Sequence, residues 1–406
     1  MCDGVNTYNN SAISPRDLYS CTNKKLRILV LDYGFVDSMT GAANRHLGLL
    51  YCLGALGHDI KRAALRVGPT KDLPELAKPV FDNMHISQHP KRMLNFRTSS
   101  IDEYLHLVRS WDPDLVVMTL WFCGPSINAT TPGFLLAKHK ELGLRAKVVI
   151  ESSDVHSMRE DYLRKFSLGG VTEKELAAMR EEESRIYLAS DGVLAISEQD
   201  KQNIETLMSR STTITKSNVF VWRYVGAPWD LAARRPELTA ESVFSKRSGL
   251  IFVGPGNVPT NVAALEWFLT EILPGLSSII PELVFNIVGQ WRRARRSVKG
   301  SLAAVVSDVL SCREAAGRTK PEKQPTLPLD TPCRDYYERI NFLGKLPQHD
   351  LEIALRAARV FVSPIRFSTG VNTKNLLALE RALPLVTSTT GSAGLCPQVG
   401  FDNLHA

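Results

Sequence analysis

The sequence lacks any apolar run close to the ~18 residues that a membrane-spanning helix needs. Its first 25 residues have no apolar core either; Asn, Ser and Asp dominate them, which excludes a secretory signal and predicts a disordered arm over 1–25. The seven cysteines (Cys2, Cys21, Cys52, Cys123, Cys312, Cys333 and Cys396) are odd in number and never spaced C-x-x-C. That pattern fits neither a disulfide scaffold nor a zinc site, and a reducing, cytoplasmic compartment suits it best. No metal site is expected. Asn9-Asn10-Ser11 and Asn128-Ala129-Thr130 satisfy the glycosylation pattern, but without a secretory signal they carry no weight.

What is present is an ordinary globular balance, 44% hydrophobic and 22% charged, over 406 residues, enough for two domains. The net charge of +7 points to anionic ligands or anionic lipid head groups. Part of that excess is one run, Arg292, Arg293, Arg295, Arg296 and Lys299, inside a segment of about 290–337 that interrupts the regular pattern. A solvated surface insertion is the plain reading of it; peripheral contact with an anionic membrane through Arg292–Lys299 is the sharper one. With Trp291 as its one aromatic neighbour, the run does not suggest nucleic acid.

Leu26 to Leu31 (LRILVL) reads as a strand buried on both faces. Gly41-Ala42-Ala43-Asn44-Arg45 then opens a helix with Leu47, Leu50, Leu53 and Leu56 at helical spacing, closed by Gly57-His58. Strands follow at 114–119, 146–150 and 191–196, with a charged helix over 172–188 and a helix capped by Ser197. A short strand over 216–225 ends the first domain, and 226–247 is a linker rich in Pro, Ala and charge. At Leu250 the alternation restarts with LIFVG, Pro255-Gly256-Asn257, Pro259-Thr260-Asn261 and an amphipathic helix carrying Leu265, Phe268, Leu269, Ile272, Leu273 and Leu276. Alternating strands and helices over 26–225 and 248–406 predict two Rossmann-like α/β domains.

The segment Ser363 to Gly394 carries most of the chemistry. A strand end leads through Arg366, Ser368, Thr369 and Gly370 into a helix expected from Val371, burying Val371, Leu376, Leu379 and Leu383 and ending before Pro384. A small-residue loop feeding a helix suits a phosphate, and Lys374 and Arg366 add cations; plain helix capping is the alternative.

This segment resembles the C-terminal domain of GT-B glycosyltransferases of the glycosyl transferases group 1 family, with its P-x-R-x-G-T-G-x-x-x-K-x-x-E-A-x-A-x-G-x-P-V-V pattern. Pro364, Arg366, Thr369, Gly370, Lys374, Ala378, Pro384 and Val386 fall in register. Leu250 to Gly289, Glu151 to Glu160 (ESSDVHSMRE), Ser190 to Glu198 and Arg27 to His58 resemble further family segments in the same order.

The resemblance implies two Rossmann-like domains facing each other across a cleft. A nucleoside-diphosphate sugar, as donor substrate and with no resident cofactor, is expected mainly on the C-terminal domain. The acceptor, a glycan, lipid or protein, is expected on the N-terminal one. It implies transfer with retention, a donor site of Gly41, Arg45, Gly254, Arg366, Thr369, Gly370, Lys374 and Glu380, and a catalytic group of His156, Asp154, Arg366 and Lys374. Arg159 is expected to hold acceptor or phosphate, or to form an ordinary salt bridge.

The departures are specific. The family's ribose-binding glutamate is Leu377 here, with Glu380 one turn on as a substitute. The first loop glycine is Ser368, and Ala382 stands where a glycine is expected before Pro384. The C-terminal domain looks truncated at Ala406, short of the family's closing αβ unit. Two other readings stay open: a non-catalytic sugar-nucleotide-binding or scaffold protein of the same fold, and another two-Rossmann enzyme such as a sugar-nucleotide epimerase.

Overall fold

The computed structural model describes residues 24–32, 41–64, 86–88, 99–120, 131–167, 171–210, 218–223, 244–291, 309 and 337–395. The chain divides into two compact units, Met1–Arg164 with Gly169–Ala233, and Lys165–Leu168 with Arg234–Ala406.

Unit 1 is built on seven strands: β1 (Arg27–Asp32), β2 (Asp59–Ala64), β3 (Ile86–Gln88), β4 (Leu115–Thr119), β5 (Lys147–Ser152), β6 (Gly192–Ala195) and β7 (Val219–Val221). Their order is β3-β2-β1-β4-β5-β6-β7, with every neighbouring pair parallel. Such a sheet must bury both faces, and β1 does so: Ile28, Leu29, Val30 and Leu31 are all buried. Because successive side chains alternate, Leu29 and Leu31 enter one core cluster while Ile28 and Val30 enter another with Leu47 and Leu50 of helix α1 (Gly41–Ala55). Unit 1 also contains helices α2 (Ser99–Trp111), α3 (Thr131–Glu141), α4 (His156–Lys165), α5 (Glu173–Ala189) and α6 (Glu198–Ser209). Thr172 and Glu175 form a capping box at the start of α5, and Ser197 caps α6 through the Asp200 amide at 3.1 Å.

Unit 2 repeats the plan with β8 (Ser248–Val253), β9 (Phe285–Val288), β10 (Ile340–Gly344), β11 (Ala358–Ser363) and β12 (Leu385–Thr387), ordered β10-β9-β8-β11-β12 and again all parallel. In both sheets the chain winds outward one way, then returns to the first strand and winds the other way. The reversal falls between β1 and β4 in unit 1 and between β8 and β11 in unit 2. Reversals of this kind, at the carboxyl ends of the strands, are where open parallel sheets bind ligands.

Three expectations change in detail. The helix after β8 is not uniform: α7 (Pro259–Trp267) passes through a π-helical turn (Phe268–Ile272) into α8 (Leu273–Ile279). Pro274 is the physical reason, since it has no N–H to donate and its ring crowds the carbonyl one turn back. The expected face nevertheless packs, with Leu265, Phe268, Leu269 and Leu273 buried in one cluster. After α9 (Gln348–Ala357), the helix expected from Val371 starts two residues later, as α10 (Thr373–Leu379), and Leu379 is exposed rather than buried.

The basic run Arg292–Lys299 lies outside the described residues. Trp291, Val309 and Tyr337 around it belong to the unit 2 core, and Trp291 packs 6.2 Å from Phe252. Residues 1–23 of the arm and 226–243 of the linker are likewise outside the described residues.

Candidate functional site

Unit 2 brings its two innermost strands to one point. β8 ends at Val253, and Gly254 donates its amide to the Val288 carbonyl at 2.9 Å. The chain then turns into α7, whose first turn carries Asn261, 4% exposed. β11 ends at Ser363 and leads through Arg366, Thr369 and Gly370 into α10, whose first turn carries Lys374. The two helices meet over the switch point. The Lys374 ammonium donates to Asn261 Oδ1, while Asn261 Nδ2 donates to the Pro255 carbonyl at 3.0 Å. The same ammonium sits 5.0 Å from the centre of the Phe252 ring. Burial, with no opposing carboxylate among the described residues, lowers its pKa from the usual lysine range to about 7.

Gly254 acts in this site by being small. A Cβ there would come 2.7 Å from Asn261 Nδ2, so only glycine leaves the amide its place. Gly370 serves differently: its φ of +69° turns the loop through a conformation that side-chain-bearing residues avoid. Arg366 is exposed on the loop, with no ion pair among the described residues. The Ser368 hydroxyl donates to the Thr369 carbonyl at 3.2 Å, and Asn372 Nδ2 donates to Ser368 Oγ at 3.2 Å. Below the loop, Asn375 Nδ2 donates to the Gly391 carbonyl at 2.7 Å, and Thr387 Oγ1 to the Ser363 carbonyl at 2.7 Å. These bonds stitch the loop to the one after β12. With only seven residues in α10, the anion-binding capacity here rests on the two cations more than on a helix dipole.

Glu380 is not brought to this point. It lies at the C-terminal end of α10, 3.5 Å from Arg381, whose guanidinium is bound to Glu352. Leu377 packs against the core cluster of Phe361, Ala378 and Leu385.

Unit 1 gathers a different set at its own switch point. Gly41 is the first residue of α1. Arg45, expected beside a diphosphate, is instead 2% exposed: its Nε donates to Glu151 Oε1 at 2.5 Å and its Nη1 to the Trp222 carbonyl at 2.8 Å. Glu151, at the end of β5, is 1% exposed and also meets His46 and Ser153. Burial pushes its carboxyl up, but Arg45 and His46 outweigh that and hold it below the ordinary glutamate range.

His156 opens α4 and is buried; its amide and that of Ser157 donate to the two oxygens of Glu183 at 2.8 and 3.1 Å. The imidazole Nδ1 lies 3.6 Å from the same carboxylate. Asp154 accepts from Arg159 at 2.6 Å, and its other oxygen is buried without a partner among the described residues. Burial disfavours the Arg159 charge, yet Asp154 and Glu160 more than offset it.

Glu151, Glu183 and Asn261 are the site-forming residues that sequence reasoning did not single out. A carboxylate closing an apolar strand and an asparagine inside Pro-x-Asn were the available signals. Glu183 gave none, standing third in a run of three glutamates on a charged helix.

No family model matches the sequence, and no curated protein does. Solved structures match over nearly the whole chain. The catalytic domain of starch synthase IV from Arabidopsis thaliana, bound to ADP and acarbose, superposes with a TM-score of 0.57 at 10% identity, covering 94% of this chain and 87% of that one. An α,α-trehalose-phosphate synthase (UDP-forming) from Burkholderia vietnamiensis gives 0.51 at 14% identity over 91% and 86%. WaaG, a glycosyltransferase involved in lipopolysaccharide biosynthesis, gives 0.51 at 12% over 90% and 82%. With two all-parallel units of matching topology, the chain has the GT-B glycosyltransferase fold.

Proposed function

We propose that the chain is a glycosyltransferase whose unit 2 binds a nucleoside-diphosphate sugar and whose unit 1 carries the acceptor. One observation supports this most: at the unit 2 switch point an ammonium, Lys374, is anchored by a neutral amide and has no carboxylate partner among the described residues. A cation placed so invites an anion. Breaking the bond between the anomeric carbon and the diphosphate oxygen leaves negative charge on the departing diphosphate, which Lys374 and Arg366 would stabilise. The Gly370 turn lets the backbone approach the phosphates. In keeping with this reading, the similar starch synthase holds ADP and the similar trehalose-phosphate synthase is UDP-forming. No resident cofactor enters the proposal. Retention of anomeric configuration, and the acceptor-side roles of Asp154 and His156, rest on the family resemblance.

One observation favours a second reading, a sugar-nucleotide-binding protein without transfer. Leu377 cannot accept from a ribose hydroxyl, and Glu380 faces Arg381 rather than the switch point.

Thermal shift with UDP-, GDP- and ADP-sugars tests both. At least one donor should raise the Tm by several degrees, and Lys374→Ala should abolish that shift. No stabilisation by any of the three would overturn both readings. Binding without sugar transfer or donor hydrolysis would select the second.

A further inference from the structure

The partner chosen for Lys374 is the informative feature of unit 2. Asn261 is 4% exposed, and its amide has one possible orientation: Nδ2 donates to the Pro255 carbonyl at 3.0 Å, leaving Oδ1 to accept from Lys374. The side chain occupies the space that glycine frees at position 254. Lys374 is held on its other side by the Phe252 ring, itself fully buried at the end of the central strand. Among the described residues no carboxylate, histidine or second lysine acts on Lys374; burial alone shifts it.

An aspartate is nearly the same shape as Asn261 and would bind the ammonium more strongly, but it would cancel the charge. The amide fixes direction without cancelling it. We propose that Asn261 is the positioning residue that aims the Lys374 ammonium at the diphosphate of the ligand while leaving its charge uncompensated. Gly254 is then the residue that admits Asn261. The inference rests on the reading of unit 2 as a nucleoside-diphosphate site.

Two consequences separate this role from simple packing. With aspartate at 261, lysine keeps its proton to higher pH, so the pH at which anion binding declines moves upward even as binding weakens. With alanine, the ammonium loses its anchor, and binding weakens without a new charge.

Calorimetric titration of UDP, GDP and ADP from pH 6 to 9 tests it on the full chain, using wild type, Asn261→Asp, Asn261→Ala and Lys374→Ala, each checked for cooperative melting. The expected result is that Asn261→Asp binds about tenfold or more weakly at pH 6.5 with its decline moved to higher pH, and that Asn261→Ala binds several-fold more weakly. If Lys374→Ala loses binding while folded Asn261→Asp and Asn261→Ala match wild type in affinity and pH profile, the positioning role is wrong and the site stands. If wild type binds none of the three, or Lys374→Ala binds as wild type does, the site reading fails and the role of Asn261 fails with it. If Asn261→Asp does not fold, wild-type binding by Asn261→Ala suffices to overturn the proposal.

Discussion

The two switch points have the same topology and opposite electrostatics. In unit 1 the helix after the first strand carries Arg45, and the nearby strand end supplies Glu151 to meet it, both sealed from water. In unit 2 the helix after the fourth-laid strand carries Lys374, and the helix after the first supplies only an amide. The first arrangement ties its cation to an internal carboxylate and locks α1 to β5. The second keeps its cation available. A parallel sheet thus offers a crevice wherever its winding reverses, but the side chain facing the cation decides whether that crevice can receive an anion.

The contrast can be broken most severely in unit 1. Glu151→Ala leaves the Arg45 guanidinium buried without its carboxylate, and should lower stability by about 3–5 kcal/mol in denaturant unfolding, with Arg45→Met in the same chain restoring much of the loss. Nucleotide affinity of whatever folds should change little, because Arg45 is tied to Glu151 and to the Trp222 carbonyl.

A smaller effect sharpens the other side. With a free-site pKa of about 7, Lys374 is charged below that pH and largely neutral above it. Binding a diphosphate should raise that pKa, so affinity should fall about tenfold per pH unit above pH 7, until the pKa of the complex is reached. Calorimetry at pH 8 in buffers of different ionisation enthalpy should report uptake of close to one proton per nucleotide. Uptake near zero would show that Lys374 is not the binding cation.

The smallest change is expected from Arg366→Ala. Arg366 is exposed and screened, so its loss should weaken nucleotide binding only a few-fold, and the difference should shrink as salt is raised.

The fold was largely legible because buried parallel strands announce themselves. LRILVL and LIFVG are apolar on both faces, and each is followed by small residues and a helical stripe. β2 was not legible: DIKRAA carries Lys61 and Arg62 in its middle and reads as a surface segment. α3 was equally silent, since its TPGFLLAKHKE has no clear stripe. For the candidate site, spacing alone suggested Arg366, Gly370 and Lys374, since all three lie within nine residues. Their partners lie far along the chain. Asn261 is 113 residues from Lys374 and Glu151 is 106 from Arg45. Only the order of strands, which no local pattern states, brings them together. Arg45 illustrates the cost of that gap, since a lone arginine after a glycine turn reads equally well as a ligand contact or an internal tie.

Phe252 has a consequence of a different kind. Its ring lies on the central strand of unit 2, flanked by β9 and β11, in the part of a parallel sheet that is last to open to solvent in native-state hydrogen exchange. A lysine resting on that ring is anchored to the slowest-exchanging layer of its unit rather than to a loop. Aiming Lys374 at an anion would then cost that side chain little further ordering, because Asn261 and the Phe252 ring already hold it.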